Sequence, residues 1–149
     1  MIKKDKTFNL GCKLLHCWSG INLFFSSLIL FIVTTGISNS PLFAMVFTSS
    51  EVSELPLKVI KAMNCLTILY NSYAVAMSIM VWFVVKKALK NKERWAFWAL
   101  LITIGIVEVF AFIASAPFNH TRWQVNVGLT LLYLIGMFLV GRKYYGKEV

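Results

Sequence analysis

Glu108 is the residue with the clearest capacity for chemistry, because it lies inside a long apolar stretch. A carboxylate near the middle of a bilayer costs roughly 2.5–3.5 kcal/mol on insertion scales. Acids in such positions typically mark a binding site, a proton relay or a counter-ion. Glu108 is therefore predicted to be the charged or protonatable centre of a site.

Three other apolar stretches carry a polar side chain at the same depth. A helix rises about 1.5 Å per residue, so Glu108 lies roughly 20 Å from the basic end of its stretch. Asn71, Asn126 and Ser27 lie about as far from the basic ends of theirs by the same rise. These four side chains are predicted to form one polar layer, in the half of the bilayer away from the basic ends.

Helical spacing adds residues to this layer. Thr130 follows Asn126 by one turn on the same face, and Tyr70 and Tyr73 flank Asn71. The predicted ligand-binding residues, which would line an outward-facing polar pocket, are Glu108, Asn71, Asn126, Tyr70, Tyr73, Ser27 and Thr130. The alternative is interhelical hydrogen bonding, worth roughly 0.6–2 kcal/mol for each bond. We favour that alternative for the amide and hydroxyl side chains, and a binding role for Glu108.

Catalytic motifs are absent from the sequence. It contains no phosphate-binding loop, no Gly-x-Ser-x-Gly, no His-Glu-x-x-His and no Cys-x-x-Cys. Catalysis usually needs two cooperating titratable groups, whereas the apolar stretches contain one acid. Cys12 and Cys17, with His16 between them, match no zinc-ligand spacing, so no metal site is expected. Nothing in the sequence indicates a cofactor.

The elements that position these residues must lie in lipid. The 149 residues are 58% hydrophobic and 14% charged, and the mean hydropathy is +0.72. A water-soluble domain is about a quarter charged, and a short chain cannot hide this much apolar surface. The net charge of +9 does not indicate nucleic acid, because the basic residues cluster at the ends of the apolar stretches.

Four stretches are long enough to cross a bilayer as helices, which takes roughly 17–25 residues each. They run over about 14–37, 62–85, 95–116 and 124–140. Period-2 alternation is absent, and unpaired strands are not tolerated in lipid. The predicted fold is an all-α, antiparallel four-helix transmembrane bundle that forms a single domain over 1–149.

The connectors alternate in charge. Basic residues crowd the N-terminal segment, the turn at 86–94 and the C-terminal tail, whereas 39–57 contains two glutamates and no base. The positive-inside rule then predicts that both termini are cytoplasmic. Tryptophans near the basic ends fit an interfacial belt, and they are Trp18, Trp82, Trp95 and Trp98. We expect a bacterial cytoplasmic membrane.

The outer connector at 39–57 is the one loop with room for structure. Thr48 and Glu51 have the spacing of a capping box, which predicts a short helix lying in the membrane interface. An apolar loop covering the outer mouth of the bundle is the alternative, and the two interpretations are equally supported.

The junction at 93–100, Glu-Arg-Trp-Ala-Phe-Trp-Ala-Leu, is a charged turn that runs into an aromatic-rich helix. It resembles the same junction in small bacterial four-helix membrane proteins of the DoxX-like kind. The similarity covers this junction and the general architecture, so it implies a small four-helix bundle and assigns no residue a role.

Three functions are compatible with these patterns. The first is binding of a partner protein, or of a small or lipophilic ligand in the pocket around Glu108. The second is a membrane enzyme or redox accessory that uses Glu108 as an acid or base. The third is a transporter subunit that oligomerises, since four spans without internal repetition do not make a carrier alone. Expected partners are the lipid bilayer, another membrane protein or further copies of the chain.

Overall fold

The structure, a computed structural model, describes residues 2–43, 47–115 and 121–145. Its elements are the helices α1 (Ile2–Thr34), α2 (Ser49–Glu54), α3 (Leu57–Val84), α4 (Arg94–Ser115) and α5 (Thr121–Tyr145), with a π-helical turn at Val85–Leu89. No strand occurs in these ranges. The all-helical prediction is confirmed.

Four of the helices are long and apolar enough to cross a membrane, as the apolar stretches predict. The qualifying segments are Lys6–Thr34, Leu57–Leu89, Arg94–Ile113 and Asn126–Tyr145. Helix α1 begins well before position 14, because charged residues near a membrane surface cost a helix little. Helix α5 likewise continues past position 140 to Tyr145. The apolar run therefore marks the part of each helix in lipid and not its ends.

Local backbone chemistry ends two of these helices. After α1, Gly36 takes a φ of 71°, the Ile37 amide donates to the carbonyl of Ile32, and the Gly36 amide donates to that of Val33. This is a Schellman motif, and it needs a residue that tolerates the left-handed region. After the π-helical turn, Lys92 takes a φ of 64° and reverses the chain towards α4.

The contacts fall into two groups, Met1–Gly20 with Met80–Val149, and Ile21–Ile79. In the first group α1 and α5 approach closely through glycine. A Cβ built at Gly11 would lie 2.8 Å from the carbonyl oxygen of Gly136. One face of α1 is buried here, including Phe8, Cys12 and Leu15. The single-domain prediction depends on how the two groups join and stays a prediction.

In the second group the outer connector is tied to α3 by side chains. The Ser40 amide donates to Asn64 Oδ1 over 2.7 Å, and the Ser40 and Thr67 hydroxyls are 2.5 Å apart. The Asn64 amide donates to Asn39 Oδ1 over 3.2 Å. Asn64 and Thr67 thus act as structural hydrogen-bonding residues between the connector and α3.

Helix α2 begins where the Thr48–Glu51 spacing predicts. The Thr48 hydroxyl accepts from the Glu51 amide, and the Glu51 carboxylate accepts from the Thr48 amide, so both halves of the capping box form. The Thr48 amide and hydroxyl both donate to the carboxylate, which stabilises its charged form and lowers the pKa of Glu51 below its ordinary value. The position of α2 in the membrane interface stays a prediction.

Candidate functional site

The Glu108 carboxylate accepts one hydrogen bond at each oxygen, from two different helices. The Trp18 indole Nε1 of α1 donates to Oε1 over 3.0 Å. The Thr130 hydroxyl of α5 donates to Oε2 over 2.5 Å. Helix α4, which carries Glu108, is therefore linked to both neighbours through one side chain. We call Glu108, Trp18 and Thr130 the carboxylate clamp.

Buried aromatic packing holds the clamp in place. Trp18 is 4% exposed and Tyr133 is 1% exposed, and their ring centroids are 5.9 Å apart. The Tyr133 hydroxyl donates to the Leu100 carbonyl of α4 over 3.1 Å. Tyr133 comes three residues after Thr130, so both side chains lie on the face of α5 that meets α4. A buried indole or phenol needs a hydrogen-bond partner, and both find one on α4.

The chemistry of the clamp follows from its donors. An indole N–H can only donate, so Oε1 of Glu108 must act as an acceptor there. An ionised carboxylate has about four lone-pair positions, and the clamp uses two. Glu108 as a residue is half-buried. Within the described residues, the clamp orients the carboxyl group and leaves the other lone-pair positions unused.

The predicted site residues divide between the two contact groups. Glu108 and Thr130 come together, and Asn126 is half-buried one turn before Thr130 on α5. Asn71 lies in the group Ile21–Ile79, where its amide donates to the Thr67 carbonyl of its own helix over 2.8 Å. The pairing of Glu108 with Asn71 spans the two groups and stays a prediction.

The other three predicted residues also belong to Ile21–Ile79. Tyr70 and Tyr73 are 63% and 69% exposed. Ser27 is exposed, whereas its neighbour Ser26 is buried, because adjacent helical positions point about 100° apart. The predicted contribution of these three residues to a pocket stays a prediction.

Trp18 is the site residue that sequence reasoning missed. The aromatic-belt rule places it at the interface, but it lies inside the candidate span Lys6–Thr34 and bonds to Glu108. Its spacing held a signal, because Trp18 follows the buried residues Leu15, Cys12 and Phe8 at three- and four-residue intervals. A tryptophan on a buried face has to find an acceptor.

In the part of the chain that the structure describes, no group of three or more His, Cys, Asp or Glu side chains lies together as metal ligands would. Cys12 is buried, and the His16 Nδ1 lies 2.9 Å from the Cys12 carbonyl oxygen. The His16 ring also meets Trp82 edge-on, with centroids 4.7 Å apart. His16 thus has structural contacts of its own.

No protein-family model, no curated protein and no solved structure matches the chain. The DoxX-like resemblance stays a prediction. The clamp, and not a relative, is the basis for assigning a function.

Proposed function

We propose that the chain is a multi-pass protein of a bacterial cytoplasmic membrane, with both termini inside and an antiparallel four-helix bundle. The basic N-terminal segment, the basic turn at 86–94 and the basic C-terminal tail support an orientation with both termini inside. Ring contacts support the directions of α1 and α5. The ring centroids of Phe8 and Tyr144 are 6.1 Å apart, and those of Trp18 and Tyr133 are 5.9 Å apart. Residue numbers rise along α1 in the direction in which they fall along α5, which is the arrangement of antiparallel neighbouring helices.

Its function, in this proposal, is to bind a small ligand that carries a positively charged, hydrogen-donating group, such as a protonated amine, at Glu108. The observation that carries the proposal is the carboxylate clamp. Two protein donors fix the carboxyl group, and its remaining lone pairs accept from the ligand. A cation gains most from this arrangement, because charge interactions strengthen where water is excluded. A ligand that offers lone pairs alone would be repelled.

An acid/base enzyme or an oligomeric transporter subunit would use the same carboxylate. Catalysis would need a second titratable group beside Glu108. Among the residues that the structure describes, the groups that bond to Glu108 are an indole and a hydroxyl, neither of which titrates near neutral pH. The clamp therefore favours binding over chemistry.

Calorimetric titration of the protein in nanodiscs tests the proposal. Benzylamine, protonated at pH 7, is the probe, and benzyl alcohol is its uncharged match in shape. We expect heat of binding from the amine alone, and at least a tenfold weaker affinity in Glu108→Gln, which is about 1.4 kcal/mol. Glu93→Gln, which neutralises an acid outside the clamp, should bind as the wild type does.

Melting curves separate binding from structure. Gln keeps one oxygen that accepts from Trp18, and its N–H can donate to the Thr130 hydroxyl, which can also accept. It cannot carry charge, so Glu108→Gln should melt close to the wild type while it loses the amine. Equal affinity for the amine in both proteins, or equal binding of the amine and the alcohol, would contradict the proposal. Glu108 would then be an interhelical hydrogen-bonding residue only.

A further inference from the structure

We propose that an anionic phospholipid binds in a groove between α4 and α5, with its phosphate on Arg142 and an acyl chain along the groove. The groove has a volume of about 460 Å³ and lies at the basic ends of the two helices. It is separate from the carboxylate clamp and does not depend on what Glu108 binds.

The walls of the groove are apolar. Phe97 lines it from α4, and Leu134, Met137 and Phe138 line it from α5. Gly141 lets the Phe97 ring pack directly against α5, because a Cβ there would lie 3.2 Å from that ring. Leu134 and Phe138 are 50% and 66% exposed. An acyl chain, which is itself apolar, packs favourably against such walls, whereas water does not.

Arg142 is the charged residue among those that line the groove. Its guanidinium carbon lies 6.0 Å from the centroid of Phe138, so the side chain bends over the apolar wall. A guanidinium offers paired N–H donors that match phosphate oxygens. An apolar groove with one arginine at its rim is therefore complementary to an acyl chain that carries an anionic headgroup.

The location of the groove specifies the source of that ligand. Positions 134–145 on α5 extend about 16 Å along the helix axis. The basic end of this stretch lies at the membrane surface if the four helices span the bilayer, and basic sites between helices at that level bind anionic headgroups. A lipid of the leaflet at the basic helix ends meets Arg142 and the apolar wall together.

Native mass spectrometry of the detergent-solubilised chain tests the proposal. The probes are phosphatidylglycerol, phosphatidylcholine with the same acyl chains, and glycerol phosphate without chains. We expect the wild type to retain phosphatidylglycerol about fivefold more than phosphatidylcholine, and Arg142→Gln to lose that preference. Lys87→Gln removes an exposed positive charge from outside the groove and should keep the preference.

Each other outcome would overturn the proposal. An equal loss in Arg142→Gln and Lys87→Gln would show diffuse attraction to a basic surface. Displacement of the lipid by millimolar glycerol phosphate would show an anion site that needs no acyl chain. A change of oligomeric mass in Arg142→Gln, with lipid retention unaltered, would show that a second copy of the chain covers the groove.

Discussion

The hydrogen bond between Trp18 and Glu108 joins residues that are 90 positions apart in the sequence. Both side chains would be costly in lipid without a partner, since an isolated carboxylate and an unpaired N–H each lose hydration there. Together they satisfy each other. Hydrogen bonds to charged groups contribute about 1.5–3 kcal/mol. This contact should therefore be visible in the stability of the whole protein.

Replacing Trp18 with Phe tests that expectation. The Phe ring keeps the packing on Tyr133 but removes the N–H, so we expect a loss of about 1.5–3 kcal/mol in unfolding free energy. Unfolding in mixed micelles with added denaturant measures it. Trp82→Phe is the control, because Trp82 is 40% exposed and its ring contacts His16. Equal stability of the two variants would contradict the role of the indole.

Two of the three clamp residues were predicted from the sequence. Glu108 stands out because a single acid in an apolar helix is expensive, and Thr130 follows from its one-turn spacing to Asn126. The spacing of Trp18 to Phe8, Cys12 and Leu15 signals a packed face, but the pairing of Trp18 with Glu108 could not be predicted, because it depends on which faces of α1 and α4 meet. Depth limits the candidates for a contact, but rotation of each helix about its axis selects among them.

At the scale of elements, the close approach of α1 and α5 rests on two glycines. A Cβ built at Gly136 would lie 3.0 Å from Leu15, and one at Gly11 would lie 2.8 Å from the Gly136 carbonyl oxygen. Membrane helices pack through small residues in this way, because the hydrophobic effect does not drive helices together in lipid and close van der Waals contacts must do so. A side chain at Gly11 must push the helices apart.

We expect Gly11→Ala to destabilise the protein by about 1–3 kcal/mol through overpacking. Gly128→Ala is the matched control, because no described atom lies within 4 Å of a Cβ built there. It should be neutral or stabilising by up to about 1 kcal/mol, since alanine favours helix. Thermal melting in detergent compares them. A Gly11→Ala protein as stable as Gly128→Ala would show that the helices adjust freely.

The capping box of α2 makes that helix sensitive to acid. The folded pKa of Glu51 lies below its ordinary value, so the stabilisation is complete above about pH 4.3 and is lost as pH falls through the folded pKa. Protection of the Glu51 amide from hydrogen exchange, measured by NMR in micelles, should decrease in that range. In Glu51→Gln, which caps without titrating, the protection should not depend on pH. A parallel decrease in both would assign the effect to another group.

The elements themselves were largely predictable. Four apolar runs predict four helices, and Thr48 with Glu51 predicts the start of α2, because both signals are local. The π-helical turn at Val85–Leu89 carries no comparable signal in the sequence. The division of contacts into two groups also depends on packing, which a one-dimensional pattern does not contain.

At the scale of the molecule, the proposed topology predicts which residues face each side of the membrane. In a background with Cys17 and Cys65 replaced by Ser, Ser50→Cys should react with an impermeant maleimide added to intact cells. Lys90→Cys should react only after permeabilisation. Both positions are exposed, so burial does not limit either reaction. The reverse pattern of labelling would invert the topology.

The carboxylate clamp also sets an order of events during translation. Trp18 leaves the ribosome long before Glu108, and Thr130 follows Glu108 by 22 residues, which takes about 1–4 s at 5–20 residues per second. Glu108 therefore leaves the ribosome when one of its two donors has already emerged and the other has not. For those seconds the Trp18 indole is the one clamp donor with which the Glu108 carboxyl group can form a hydrogen bond.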